Sequence, residues 1–502
     1  MRPLLTVCAL LMLWVLPAAA LEPGQVAVVY NAGSAYSREC AALYARTRGI
    51  PNEQCVGLAG LPSQGELSRN QYHTLVEEPL MRSAYERGWC WPAAQVYGKK
   101  HMLAMVLMPD IPLRIRREAT PPPGVRADVA TDSACLDSEL MMLGARYPLG
   151  GPLKNPFYKK EADLNDERPE VMSVCRIEAP SSAAVRRMIL DPAEVEKRGL
   201  WGWVVVDQGG PYKEGEEMFR RVAELSKRGN LPLIHEESGS VFCEAYPLPQ
   251  RVAVYFGWYT EFAAGPFAPS DRTGFRFAPG AVAGHLHSFS ATSVKDPKRW
   301  VGALLEHGAA VTVGNTAEPF LAGCMDFGVF YTALVRGKTV AEAALAATPF
   351  VSWHGVVLGD PLYRPFIAIN SGIAPAQDPF VRWRTLCLRS AGNASAFRQG
   401  VDASAAEPHG ALFAEFYAWA NAEAKQPRIA IDYFEKAASL HTDNRDSIRC
   451  LLAAAALLRS EKQTSRADSH LGTCLRLSAS SPFETAVRHI HALWHPKPTP
   501  QK

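Results

Sequence analysis

The 502-residue chain carries 53 Lys and Arg against 50 Asp and Glu, a formal net charge of +3. So even a balance excludes bulk electrostatic recruitment of nucleic acid or of an anionic membrane surface. The length allows two or three domains with sizeable cores, and past the first twenty residues no run approaches 18 consecutive apolar positions, so no later membrane span is expected.

The chain opens with Arg2, an apolar run from Leu4 to Leu16, the helix breaker Pro17 and then Ala18-Ala19-Ala20. These are the positive, apolar and small-residue parts of a cleavable secretory leader. Removal of residues 1–20 leaves 482 residues with 52 basic and 50 acidic side chains, and a soluble protein exported to the periplasm or the exterior. Cys8 departs with the leader. Ten cysteines remain, an even number in an oxidising compartment, so disulfides are expected, with Cys40 to Cys55 and Cys450 to Cys474 as the local candidates. No CxxC or Cys/His zinc spacing occurs, and neither a structural metal nor a cofactor is expected.

Gln25 to Tyr30 reads as a buried strand, followed by Asn31 and Gly33-Ser34 and a helix from Ser37 to Arg48 that stops at Gly49-Ile50-Pro51. Met102 to Met108 and Leu200 to Val206 repeat the strand signal, and Glu214 to Arg228 is an amphipathic helix. Residues 117–125, with Pro121-Pro122-Pro123, and 150–170 read as loop insertions. From Val252 the alternation tightens: strands at 252–256, 281–286 and 309–313, helices at 300–306 and 339–347, and a closing Gly359-Asp360-Pro361-Leu362-Tyr363. Strands alternating with helices predict an α/β fold around a mostly parallel, buried sheet. Residues 368–407 lose periodicity and read as a linker. Beyond it, Leu412, Phe416, Trp419 and Ala420, then Ala430, Tyr433, Phe434 and Ala437, recur at helical spacing, and Phe434-Glu435-Lys436-Ala437 resembles the second helix of a tetratricopeptide unit. A plain helical bundle fits this stretch equally. The expected division is therefore leader 1–20, α/β regions 21–250 and 251–367, linker 368–407 and helical module 408–495.

Several strings resemble an exported bacterial family without an assigned activity: Tyr30-Asn31 with Ser34 and Ser37, Leu136-Asp137-Ser138-Glu139-Leu140, Tyr255-Phe256-Gly257-Trp258-Tyr259, His285 to Ala291, Gly314 to Pro319, and Gly359 to Phe366. From Val252 to Phe366 the layout also resembles, more distantly, the catalytic domain of gingipain-type cysteine peptidases of caspase-like fold. That resemblance implies a Gly-His at the end of one strand, a nucleophilic Cys at the end of the next, then a Gly-rich strand and a closing Gly-Asp-Pro. Here Gly257-Trp258 stands for the first, Ser288 or Ser290 for the second, and 308–314 and Gly359-Asp360-Pro361 for the others. Trp has no basic nitrogen, so a chain aligned in this way cannot hold a thiolate by the gingipain route. Cys324, beyond the later strand, reads as a buried small hydrophobe.

Three chemical readings remain. His287 with Ser290, oriented by Asp360 or Glu318, would make a serine hydrolase in the manner of a triad, with His285 and Ser288 as further candidates, although no G-x-S-x-G elbow supports it. Alternate His285 and His287 on one strand face, with Asp207 or Glu318, would hold a metal ion. Otherwise these groups simply hydrogen-bond a strand end. The aromatic residues Trp201, Trp203, Trp258, Tyr259 and Trp353, if gathered at the carboxyl edge of the sheet, would line a pocket for a peptide or glycan. Asn31, Ser34 and Ser37 read as helix-capping residues, and the Asn393-Ala394-Ser395 sequon has no assigned role. The leading expectation is an exported, non-catalytic, peptidase-like pseudoenzyme that binds a peptide, protein or glycan through Trp258, Tyr259, Asp207, Glu318 and Asp360. A serine hydrolase and a scaffold acting through the C-terminal helices are the alternatives. The sequence does not fix the oligomeric state.

Overall fold

The computed structural model describes residues 20–62, 65–90, 100–118, 131–145, 151–160, 171–237 and 242–496. Leader residues 1–19 and most of both expected loop insertions lie outside these. Ten strands form one sheet: β1 (Val26–Asn31), β2 (Cys55–Leu58), β3 (Ala104–Leu107), β4 (Ser173–Arg176), β5 (Trp203–Asp207), β6 (Leu233–Glu236), β7 (Val252–Gly257), β8 (Phe277–His285), β9 (Val311–Asn315) and β10 (Gly355–Leu358). Their order is β6-β5-β7-β8-β9-β10-β4-β3-β1-β2. Every pairing is parallel except β9 with β10, where Asn315 faces Gly355 and Thr312 faces Leu358. The sheet is thus two parallel halves running in opposite directions. In both halves the first strand lies between the second and the third. The pairing groups β5 and β6 with β7 to β9, so residues 203–236 belong with the later half, while β10 pairs parallel with β4 in the other.

Continuous apolar runs make these strands because both faces are covered. Val26 to Val29, Ala104 to Leu107, Val204 to Val206 and Val252 to Phe256 are all buried. Helix α1 (Ala35–Arg48) starts where the Ser34 hydroxyl accepts the Ser37 N–H and stops at Gly49, which takes a left-handed φ of 66°. The Asn31 side chain accepts the Gly33 N–H, so the polar residues after β1 cap and turn the chain. The helices α2 (Ser182–Val195), α3 (Lys213–Arg228), α4 (Trp300–Glu306), α5 (Phe327–Val335) and α6 (Val340–Ala347) cover the sheet.

The stretch expected as a linker is helical, with α7 (Pro379–Arg389) and α8 (Ala394–Ala403). Local capping outweighs the weak periodicity: Asp378 caps α7 ahead of Pro379, Asn393 caps α8, and Phe380, Val381 and Trp383 are buried. Helices α9 (Gly410–Glu423), α10 (Pro427–Leu440), α11 (Asn444–Ser460), α12 (Thr464–Ser478) and α13 (Glu484–Trp494) then pack each on the next. Among the described residues no helix is long and apolar enough to cross a membrane. The ten cysteines from Cys40 to Cys474 are free thiols, so neither expected pairing is formed. Cys474 instead donates weakly to the Ile448 carbonyl at 3.8 Å.

Candidate functional site

In the half built from β5 to β9 the strands are all parallel, and the order in which the chain adds them reverses between β5 and β7. Doubly wound sheets bind ligands in the crevice beyond the strand ends at such a point. Asp207, Gly257 and His285 stand in register there at the ends of β5, β7 and β8. Trp258 follows Gly257 and fills the crevice. A β-carbon at Gly210 would lie 2.0 Å from its ring and one at Gly215 2.1 Å, so two glycines leave the volume that the indole occupies. Phe219 closes the far side at 5.4 Å between ring centroids. The Trp258 Nε1–H donates to Glu216 Oε1 at 2.7 Å, and the same oxygen accepts the N–H groups of Gly209 (3.0 Å) and Gly210 (2.7 Å). Trp258 is 2% exposed. It forms a wall, and offers no stacking face.

Neither histidine is placed as a base. The strand ends at His285, so the strict alternation expected to aim His285 and His287 alike stops there. His285 is buried, stacked on Trp300 with centroids 3.5 Å apart and rings 6° from parallel, and its Nε2 accepts the Thr260 N–H at 3.2 Å. Its other nitrogen faces the Tyr255 hydroxyl at 3.5 Å, and that hydroxyl also reaches Asp207 at 3.4 Å. Nδ1 of His287 accepts the Phe289 N–H at 3.2 Å. In each neutral ring the lone pair needed to take a proton is therefore already engaged by a backbone donor. Burial holds both imidazoles below their ordinary value near 6.5. Asp207 is buried beside Glu236, and burial followed by that neighbouring charge pushes its carboxyl well above the usual range.

The serines part company. Ser290 is buried, and its oxygen accepts the Asn315 N–H at 3.2 Å beneath the turn, in place of a bond to a histidine nitrogen. Ser288 donates to Glu318 Oε1 at 2.8 Å, and that oxygen also accepts the Phe320 N–H at 2.8 Å. Asp360 lies elsewhere, at the end of the oppositely directed β10, where it is bound by Arg48 and by the Tyr44 hydroxyl at 2.6 Å. No triad is assembled from Ser290, His287 and Asp360. The metal reading fares no better. Among the described residues the one trio of ligand groups within 4.8 Å is Glu415, His441 and Cys450, and it does not include His285, His287, Asp207 or Glu318. That trio surrounds Arg449, whose guanidinium already supplies the positive charge an ion would bring.

A pocket of about 470 Å³ does open beside Trp258. Tyr212, Tyr259, His287, Ser288, Glu318 and Phe320 line it. Tyr212 and Tyr259 are 47% and 38% exposed, with rings perpendicular at 6.1 Å, and Tyr259 lies 4.7 Å from the His287 ring. Three of the sequence strings, ending β7, β8 and β9, therefore meet as expected. Of the aromatic set only Trp258 and Tyr259 belong here. Trp353 is buried near Pro319, to whose carbonyl it donates at 3.3 Å. Trp203, at the start of β5, packs on Phe416 (4.7 Å), and the buried Trp201 donates to the Arg198 carbonyl. Cys324 lines the pocket floor, where burial pushes its thiol up to about 12, the inert state expected of it.

Sequence reasoning missed Tyr212, Phe320, Glu216 and Trp300. Tyr212 had a signal, because Gly209-Gly210-Pro211 marks the loop after the first strand of a doubly wound unit.

His285, His287, His307 and His354 are all depressed by burial, His354 to about 4. An unfolded chain takes up protons near 6.5 that the folded chain refuses until lower pH. Their contribution to stability is complete above 6.5 and is lost as pH falls below it. The urea midpoint is expected to be lower at pH 5 than at pH 7, and equal midpoints would contradict neutral buried imidazoles.

No family model, no curated protein and no solved structure matches the chain.

Proposed function

We propose that the chain is an exported, catalytically degenerate relative of the caspase-like peptidases of gingipain type, and that the pocket beside Trp258 binds a peptide, protein or glycan in the cell envelope. The observation that carries this reading is the indole in the switch-point crevice, where that resemblance implies a catalytic histidine. The layout supports it further: β7 ends in Gly257-Trp258, the neighbouring β8 ends in the His285 turn, Gly314 lies on β9, and Gly359-Asp360-Pro361 follows β10. Exposed tyrosine faces beside the Glu318 carboxylate suit a ligand that presents a cationic group, since an ammonium or guanidinium is held by ring faces and acid together. The C-terminal helices, each packed on the next in the manner of a tetratricopeptide array, serve in this reading as a second docking surface.

The test is a peptide and glycan array probed with the wild type and with the Tyr259→Ala and Glu318→Gln variants. Each variant is expected to lose about tenfold in affinity for the ligands captured, as for an aromatic or charged anchor of a small site. An unchanged binding profile would remove the pocket from the function. A fluorophosphonate probe is expected to leave Ser288 and Ser290 unlabelled in the folded protein, and labelling abolished by Ser290→Ala would restore the hydrolase reading.

A further inference from the structure

A second concavity, of about 870 Å³, lies on the helical face of the later half, between α3, α5, α6 and Lys159-Lys160. Six cations line it: Lys159, Lys160, Arg221, Arg336, Lys338 and Arg364. Among the described residues the acid in the lining is Glu342, which is buried and already engaged, accepting from Lys338 at 3.2 Å and from the Thr339 N–H at 2.8 Å, and Lys159 pairs with Asp326 at 3.2 Å. Among the described residues, six positive groups against the Glu342 and Asp326 carboxylates leave an excess of four positive charges at one cleft, in a chain whose whole net charge is +3. The cations converge from separate segments, which is why a balanced composition conceals them.

We infer that this cleft binds a ligand carrying several clustered phosphate groups. Like charges gathered in a concavity repel one another, and the species that relieves them best carries several negative charges within one cleft length. Arginine forks meet phosphate oxygens in pairs, and lysines meet them as point charges. Arg364 is held for this by its Nε–H on the Gly337 carbonyl at 2.7 Å, which fixes the guanidinium at the wall. Val329, Ala333 and Ile367 leave apolar space for the carbon part of such a ligand. Among the described residues no aromatic ring lines the cleft, so bases of a nucleic acid have no platform there on which to stack. The site is a recess that encloses a discrete ligand, unlike the flat basic face that meets a bilayer.

Tripolyphosphate titrated into the purified protein by calorimetry tests this. Binding is expected at 50 mM salt, at least tenfold tighter than for inorganic phosphate, and weaker at 200 mM salt because exposed charges are screened. Lys160→Glu with Arg221→Glu, both at exposed positions, should reduce affinity at least tenfold with an unchanged melting midpoint. The same charge change made by Arg466→Glu with Arg488→Glu, at exposed positions on α12 and α13, which do not line the cleft, should leave affinity within threefold. Absence of tripolyphosphate binding, inorganic phosphate binding equally well, or equal losses from both pairs overturns the inference. Capture by anionic phospholipid vesicles without tripolyphosphate binding overturns it too, in favour of a membrane surface.

Discussion

Arg449→Met is expected to destabilise the protein by about 3–5 kcal/mol, the cost of leaving a buried carboxylate without its partner. Arg449 and Glu415 are both fully buried. The guanidinium donates through Nε and Nη2 to the two Glu415 oxygens, each at 2.7 Å, and through Nη1 to Asp446 at 2.6 Å and to the Pro247 carbonyl at 3.3 Å. The last bond crosses from α11 to the α/β body, and the guanidinium also lies 5.9 Å from the Trp203 ring, so this one side chain ties the helical module to the sheet. Urea unfolding followed by tryptophan fluorescence reads the loss, and a cost below about 1 kcal/mol would mean that the network is not the anchor. Changing Glu415 to Leu in the same chain is expected to recover most of the stability, because an apolar pair of similar volume carries no desolvation penalty. The pH dependence gives an independent check. Burial alone would raise the Glu415 carboxyl, but Arg449 and then His441 overcome it and hold the group at about 2. A folded value below the unfolded one stabilises fully above the unfolded value near 4.5, and that contribution is lost as pH falls from there toward 2. The gap between wild type and Arg449→Met should therefore narrow as pH is lowered from 7 to 3.

Long apolar runs were the legible part of the fold. Val26 to Tyr30, Val252 to Phe256 and helix 300–306 stand where periodicity and composition predict them, because each is long enough for burial to leave a pattern. Strands β2, β4, β6 and β10 are four residues each, and two of them include charged or histidine side chains, as in Leu233-Ile234-His235-Glu236. Such segments become strands only because neighbours on the sheet complete their hydrogen bonds. The site was legible to the same degree. The strings at the ends of β7, β8 and β9 do share one edge, and Tyr259, His287, Ser288 and Glu318 meet there. Asp360 is absent from it because β10 runs antiparallel to β9, a reversal no local pattern announces. Ser290 is absent because the chain after His285 leaves the strand and folds the hydroxyl inward. The basic cleft was illegible for a third reason, since its cations are scattered over some two hundred positions and no window of sequence brings them together.

Trp258→Ala is expected to cost about 3–5 kcal/mol, the range for emptying a large buried aromatic site. This differs from a surface ligand-stacking tryptophan, whose removal would weaken capture and leave the fold intact. The glycines around the ring allow the two roles to be separated. Gly215 lies inside α3, where alanine ordinarily stabilises a helix by up to about 1 kcal/mol over glycine. Here the new β-carbon would meet the Trp258 ring at 2.1 Å, so Gly215→Ala is expected to destabilise instead, by about 1–3 kcal/mol, as overpacking does. In a Trp258→Ala background the obstacle is gone, and the same Gly215→Ala change should become neutral or stabilising. That reversal of sign is a coupling energy which only direct contact between the two positions produces. Thermal melts of the four proteins in the cycle measure it. Additive effects would mean that the indole does not occupy the crevice, and the degenerate-peptidase reading would lose the observation on which it rests. A coupled cycle would leave the crevice sealed by its own tryptophan, and binding would then belong to the neighbouring pocket lined by Tyr212, Tyr259 and Glu318.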